Sequence, residues 1–317
     1  MNAGLRVIKP GILSLYQDCG RYGSHHLGLT NGGPMDQQAF RWSNRLCDNR
    51  GSFTTLEIAA GGLVLQAETD TIIAVTGADN TLTINKNSAA IWCSHQVRHG
   101  DHIALGYPHQ GVYNYLAVAG GFEAKPLFGS TAAVPREKIG GHHGNGSAIA
   151  AGDLLHCQPT ASVENLYALC KELQPKRPHK SVLLRVILGC QQDAFTPTQK
   201  QVFFSHHYQI TQQKDRMGCR LHGPDIAPPN CTMLSEGISL GAVQIPPDGQ
   251  PIILMRDRQT IGGYPKLGSI FSADLDQLAQ LTAGDTVQFT PITLEHAHNL
   301  LHLNEQRFLT TLPHALS

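Results

Sequence analysis

Two loops of this chain carry residue types whose spacing suits recognition of a small anionic or amide compound. In the C-terminal half the apolar run 252–255 leads into Asp257-Arg258-Gln259-Thr260, and then into Gly262-Gly263-Tyr264. An arginine fork and a carboxylate offer charge-assisted hydrogen bonds, while a Gly-Gly pair lets the backbone approach a ligand closely. The N-terminal half has a loop of the same character, Gln17-Asp18-Cys19-Gly20-Arg21, followed by Gly32-Gly33-Pro34-Met35-Asp36. An Asp beside an Arg either fixes its own turn as a local ion pair or contacts ligand as well. Arg216 and Arg220 flank Gly218, and either suits a bidentate clamp on a carboxylate or phosphate. Asp36, Glu57, Glu236 and Asp257 are the carboxylates available for acid/base work, although Asp36, at a helix start, has the alternative task of satisfying N-terminal amides.

Other motifs carry less chemistry. Gly237-Ile238-Ser239-Leu240-Gly241 has the G-x-S-x-G spelling of a nucleophile elbow, which needs a helix directly after the serine; Pro246 and Pro247 break such a helix, so a turn between strands is expected. The doublets His25-His26, His142-His143 and His206-His207, and the pair His298 and His302, lack the glutamate of a zinc-protease pattern and read as surface or capping groups, with no metal set expected. The loop 140–146 is glycine-rich but has no Gly-Lys-Ser/Thr ending and is not a Walker A loop.

The elements that must position these loops are short. Turn-bounded strand patterns occur at 72–75, 82–84, 103–105, 113–118, 202–204, 243–245 and 287–289. Helical patterns are fewer: one starting at Pro34 with Met35, Ala39, Trp42 and Leu46 on one face, one capped by Ser162 and running to Leu173, and one from Thr293 to Leu309. Two signatures recur. Leu5-Arg6-Val7-Ile8 returns as Leu184-Arg185-Val186-Ile187, and Ala151-Gly152-Asp153 returns as Ala283-Gly284-Asp285. With the polar, proline-bearing stretch 172–180 between the copies, this implies two related β-rich units, 1–175 with the larger insertions and 176–317.

Composition fits that class. Hydrophobic residues are 41%, and 32 glycines with 18 prolines favour many strands joined by turns over a helical bundle. Lys plus Arg and Asp plus Glu are 24 each, so the formal net charge of +0 gives no footprint for nucleic acid or an anionic membrane. The eight cysteines form no C-x-x-C pair, the opening residues lack a secretory core, and the run 182–188 is too short to span a bilayer; a reduced, cytoplasmic protein is expected.

Gln17-Asp18, Gly20-Arg21, Met35-Asp36, Leu56-Glu57, the run from Leu116 to Gly121, Arg216-Met217-Gly218, Arg220-Leu221 and Ser235-Glu236-Gly237 stand in one collinear order. By them the chain resembles the family of 5-oxoprolinase C subunits, also described as the biotin-dependent carboxyltransferase or allophanate-hydrolase subunit 2 family, over nearly its whole length. The resemblance implies a mainly β chain with few helices, built as two cyclophilin-like β-barrel domains related by internal duplication. It implies a component that acts with the A and B subunits of an ATP-dependent 5-oxoprolinase to open 5-oxoproline to glutamate, with doubtful activity alone. Its alternatives are the carboxyltransferase component of a urea or allophanate system, with biotin on a partner, and a regulatory protein that antagonises a kinase inhibitor. The site residues it implies are Asp36, Glu57, Glu236 and Asp257 as catalytic groups, and Gln17, Asp18, Arg21, Arg216, Arg258, Gln259, Thr260 and Tyr264 as substrate contacts. One departure stands out: where relatives continue a Gly-Ser-x-Ser-Thr run, this chain reads Gly129-Ser130-Thr131-Ala132-Ala133.

Overall fold

A computed structural model describes residues 3–49, 53–160, 166–175, 180–228 and 233–316. In chain order the first strands are β1 (Gly4–Pro10), β2 (Leu13–Gln17), β3 (Thr55–Ala59), β4 (Leu63–Ala67), β5 (Thr71–Asp79) and β6 (Leu82–Ile84). Next come β7 (Asn87–Ala89), β8 (Cys93–Val97), β9 (His102–Leu105), β10 (Gln110–Val118), β11 (Leu154–His156) and β12 (Leu166–Ala168). The second half contributes β13 (Ser181–Leu188), β14 (His207–Lys214), β15 (Gly218–His222), β16 (Glu236–Gly237) and β17 (Ala242–Gln244). They are followed by β18 (Ile252–Leu254), β19 (Ile261–Gly262), β20 (Lys266–Ile270), β21 (Thr286–Pro291) and β22 (His314–Leu316). The α-helices are α1 (Gln37–Leu46), α2 (Pro197–Ser205), α3 (Leu275–Gln280) and α4 (Leu294–Thr310). The chain is mainly β, and none of its described helices is long and apolar enough to cross a membrane.

The chain divides into two compact units: Met1–Gly23 with Asn31–Arg177 and Thr311–Ser317, and Ser24–Thr30 with Pro178–Thr310. In the first, one sheet runs β11-β1-β4-β9-β6-β7 and a second β2-β3-β10-β5-β8-β12-β22. Both contribute alternate residues to one core, with Leu5, Val7, Leu65 and Leu155 from the first sheet against Leu56, Ile58, Ile73, Val75 and Val118 from the second. This is what period-2 patterning gives when two sheet faces are buried against each other. Helix α1 covers the outer face of β5 and β10, where Leu46 packs with Ile72, Ala74 and Ala117. It starts later than the Pro34 signal implies: Asp36 is its N-cap, and the carboxylate accepts the Ala39 amide at 2.9 Å.

In the second unit the strands β13-β20-β17-β18-β15-β14-β21 close into a barrel. Leu184, Tyr208, Leu221, Val243, Ile253, Leu267 and Val287, all fully buried, supply the interior. Two sequence expectations fail. Val202, Phe203 and Phe204 lie in α2 and not in a strand, because Thr196 and Gln199 form a capping box with Pro197 in the first turn. Phe203 then stacks on Phe289 at 4.2 Å, so the aromatic content that mimics a strand serves helix-on-barrel packing. The helix expected up to Leu173 is replaced, within the described residues, by β12 and a single 3-10 turn, since Leu166, Tyr167 and Ala168 pair with β22 from the end of the chain; Ser162 lies outside the described residues.

The recurrent Ala-Gly-Asp turns make the same pair of backbone bonds. Gly152 N–H donates to Val7 O and Val7 N–H to Asp153 O, both at 2.8 Å; Gly284 N–H donates to Ile210 O at 2.9 Å and Ile210 N–H to Asp285 O at 2.8 Å. The strands gripped are β1 and β14. The second Leu-Arg-Val-Ile, in β13, instead runs parallel to β21. The internal similarity is therefore expressed in the closing turn, whereas the two Leu-Arg-Val-Ile strands differ in their pairing.

Lys214 ends β14 inside this unit and donates Nζ to Ala279 O at 2.7 Å and to Leu281 O. Burial lowers its pKa to about 8, well below the ordinary lysine value. At Lys214 the unfolded chain then holds more protons than the folded one between about pH 8 and the lysine range near 10.4, so this group's contribution to stability should rise with pH through that window, against the buried thiols of Cys47, Cys157 and Cys219, whose raised pKa values act in the opposite sense. Chemical denaturation of the wild type and of Lys214→Met at pH 7.5 and 9.5 checks this: the wild type should gain stability relative to the variant at the higher pH.

Candidate functional site

The N-terminal cluster is built on the end of β2. Gln17 is fully buried and bridges two segments: Nε2 donates to Ala133 O and Oε1 accepts the Gly33 amide, both at 3.0 Å. Asp18 accepts from Gly20 N at 2.8 Å, Ser130 Oγ at 2.6 Å, and Thr131 N at 2.7 Å and Oγ1 at 3.2 Å. Arg21, 1% exposed, donates Nη2 to Ala132 O at 2.8 Å, and its backbone is held by Asn31 at both N–H and C=O. The segment 130–133 is thus gripped by all three predicted residues. Its remaining hydroxyls, Ser130 and Thr131, serve Asp18, and the carbonyls of Ala132 and Ala133 serve Arg21 and Gln17. The two alanines thus contribute through their backbone carbonyls, so the segment is held without further hydroxyls.

Asp36 and Glu57 meet through a residue that no motif announces. Glu57 Oε2 accepts Tyr115 O–H at 2.6 Å and Met35 N–H at 2.8 Å, and Asp36 N–H donates to the same phenol oxygen at 2.8 Å. Burial, followed by the charges of Glu57 and Asp36, raises the Tyr115 pKa well above the usual phenol value, so the phenol stays protonated and donates. Glu57 is 2% and Asp36 7% exposed. Their present bonds orient the entry to α1. The one sign of Tyr115 in the sequence is a polar ring within the strand pattern 113–118, all of whose residues are buried.

The C-terminal cluster is built beyond β18. Arg216 and Asp257 form a buried bidentate pair, Nε to Oδ2 at 2.8 Å and Nη2 to Oδ1 at 2.9 Å. The backbones run alongside, with Asp257 N–H on Arg216 O at 2.8 Å and Met255 N–H on Met217 O at 2.9 Å. Arg258 is 3% exposed and donates Nε to Ile238 O at 3.1 Å, while Thr260 O accepts the Ile238 amide at 3.0 Å. Thr30 Oγ1 caps Arg256 O at 3.2 Å. Gln259 and Thr260 are half-buried, and Tyr264 is exposed. Glu236 is exposed and pairs with Lys266 Nζ at 2.5 Å and with the Gln191 amide. Arg220 pairs with Asp248. The Ser239 segment turns into β17 with no helix following, and Ser239 Oγ lies 2.9 Å from Ser269 Oγ.

Each unit therefore presents a rigid polar loop pinned by buried arginine and carboxylate groups. Gln17, Asp18 and Arg21 come together in the first, as do Asp36 and Glu57; Arg216, Asp257 and Arg258 anchor the loop that carries Gln259, Thr260 and Tyr264 in the second. The described cysteines are all free, and His298 and His302 are exposed on α4.

Comparison with known proteins gives the family of the chain. Residues 27–291 match the family model described as carboxyltransferase domain, subdomain A and B. The 5-oxoprolinase C subunit of Haemophilus influenzae is 33% identical over 291 residues, 91% of this chain and 91% of that protein. The Escherichia coli protein of the same name is 33% identical over 300 residues, 92% of this chain and 93% of its own. Among solved structures, K. lactis urea amidolyase superposes with a TM-score of 0.88 at 29% identity, covering 96% of this chain and 20% of that one. A match across most of the sequence, with full-length relatives at this identity, places the chain in the carboxyltransferase domain family that includes the 5-oxoprolinase C subunits.

Proposed function

We propose that this chain is the C subunit of an ATP-dependent 5-oxoprolinase and acts with the A and B subunits to open the lactam of 5-oxoproline to glutamate. The observation that carries the reading is reciprocal coverage: the alignment with two 5-oxoprolinase C subunits spans more than nine-tenths of both partners. The urea amidolyase match leaves four-fifths of that protein unaccounted for.

A lactam is a poor electrophile, and ATP supplies the means to turn its oxygen into a phosphorylated leaving group. The loop 140–146 does not fit a triphosphate. Its amides at Gly141, Gly144 and Gly146 donate to the carbonyls of Thr131, Gly141 and Gly140, so they are not available to phosphate. We assign nucleotide binding to a partner protein and give this chain the task of holding the small amide. Gln259, with both an N–H donor and a C=O acceptor, suits the paired donor and acceptor of a lactam, and Thr260 and Tyr264 extend the polar surface. Arg216, Asp257 and Arg258 hold that loop in place, and Gln17, Asp18 and Arg21 do the same for the N-terminal loops. Asp36 and Glu57 with Tyr115 form a proton-bearing cluster whose exchangeable hydrogen sits on the phenol.

The second reading, a carboxyltransferase component of a biotin-dependent urea system, is favoured by the K. lactis superposition. The sequence has no Met-Lys-Met biotinylation site, so biotin would arrive on another protein.

Gln259→Ala in the reconstituted complex tests the site. Activity should fall at least about tenfold, equivalent to about 1.4 kcal/mol, with an unchanged melting temperature. Wild-type kinetics would remove Gln259 from the site, and a loss matched by unfolding would make it structural.

A further inference from the structure

We propose that His142, His143 and Asp153 form a binding site for a divalent cation of the zinc class, held by two imidazoles and one carboxylate with its remaining positions filled by water. The three ligand atoms lie within 4.8 Å of one another. His143 Nε2 is 2.9 Å from Asp153 Oδ2, and the two imidazole centroids are 4.7 Å apart with their planes at 72°. Tetrahedral ligands about zinc are about 3.3 Å apart, so closure needs only side-chain rotation, which the exposed His143 has room to make.

Three observations separate this cluster from an ordinary surface ion pair. First, His142 sits in it without a hydrogen bond to either ring nitrogen among the described residues, and Asp153 Oδ1 is equally unengaged there, whereas Oδ2 already accepts Ala150 N–H at 2.7 Å. A simple His143–Asp153 pair leaves His142 unexplained; a cation uses it. Second, the backbone is fixed on both sides. Gly141 N–H donates to Thr131 O at 2.8 Å, and the Ala-Gly-Asp turn is bonded to Val7 as described above. Donors held on rigid turns are what a preorganised metal site requires. Third, Tyr16 backs the His142 ring edge-on at 5.5 Å, and its buried hydroxyl has no hydrogen-bond partner although it lies in the field of Asp153 and Glu123. His156 is the other titratable group close to His142.

Imidazole with carboxylate selects zinc, nickel or copper over magnesium or calcium, and three protein ligands leave an open position. The cation would tie the loop 140–146 to the closing turn of the first unit. Gly140, at the start of that loop, lies where an added Cβ would meet Ala132 O and Arg21 Nη2, so occupancy would fix the wall of the Arg21 cluster.

Calorimetric titration of the metal-free full-length chain with Zn2+ tests the site, with Co2+ absorption as a second readout. The wild type should bind one more equivalent than His142→Leu, which keeps apolar packing on Tyr16, and than the double variant His142→Ala/His143→Ala. Asp153→Asn, which retains an acceptor for the turn, should weaken that equivalent at least about tenfold. Zn2+ should raise the melting temperature of the wild type and leave the double variant unchanged. Other histidines and cysteines contribute equally in all variants. Equal stoichiometry and affinity in wild type and in both histidine variants would overturn the proposal.

Discussion

Replacing Arg216 with Ala is expected to destabilise the second unit by about 3–5 kcal/mol, because it strands the Asp257 carboxylate without its buried partner. The two side chains are 7% and 4% exposed, so water cannot substitute for the lost guanidinium. The pair also pins the backbone through Asp257 N–H on Arg216 O, so the loop from Asp257 to Tyr264 should loosen as a body. Replacing both members with apolar residues of similar size, Arg216→Met with Asp257→Leu, should recover much of the stability, since no charge is then left buried. Urea denaturation of the two proteins reads both effects. If the double variant regains stability but the complex stays inactive, the pair serves ligand positioning. A single variant as stable as wild type would show that the pair is not desolvated.

A comparable loss is expected from Gly140→Ala. Gly140 has φ of +71°, and an added Cβ would fall 2.0 Å from Ala132 O, 2.8 Å from its carbon and 3.0 Å from Arg21 Nη2. The backbone must move, and with it the carbonyl that accepts Arg21. We expect a cost of about 3 kcal/mol or more, together with loss of activity in the complex. Gly144→Ala is the control: φ is +74°, but nothing lies within 4 Å of the new Cβ, so only the left-handed conformation is penalised, by about 1–2 kcal/mol. Thermal denaturation of both variants isolates the close approach. Equal losses would mean that the loop relaxes freely and that Arg21 does not depend on it.

Much of the fold is legible in the sequence because most strands are short and turn-bounded. The patterns at 82–84, 103–105 and 113–118 lie within β6, β9 and β10. Thr293 marks the start of α4, where its hydroxyl accepts the His296 amide at 3.2 Å. Val202, Phe203 and Phe204 mislead because side-chain type outweighs the Thr-Pro-x-Gln cap just upstream. β12 is illegible because its partner β22 lies at the far end of the chain, and no local pattern encodes that pairing.

The candidate loops are visible as clusters of polar residues and glycine, but what holds them is not. Arg21 reaches a carbonyl 111 residues away, Arg216 a carboxylate 41 away and Tyr115 a carboxylate 58 away. Burial is equally hidden. Arg258 carries the same charge in sequence whether it meets solvent or, as here, the Ile238 carbonyl beneath the loop. A polar loop motif reports residues that have to be held, and the fold decides which of them hold and which are presented.

The most direct test of the account is to purify this chain alone and together with the proposed A and B subunits, and to measure glutamate release coupled to ATP hydrolysis on addition of 5-oxoproline. The account predicts negligible turnover by the isolated chain, 5-oxoproline-dependent turnover by the complex, and none from urea with carboxybiotin. Robust turnover by the contaminant-free chain alone, or a complex that responds to urea with carboxybiotin and not to 5-oxoproline, would contradict it.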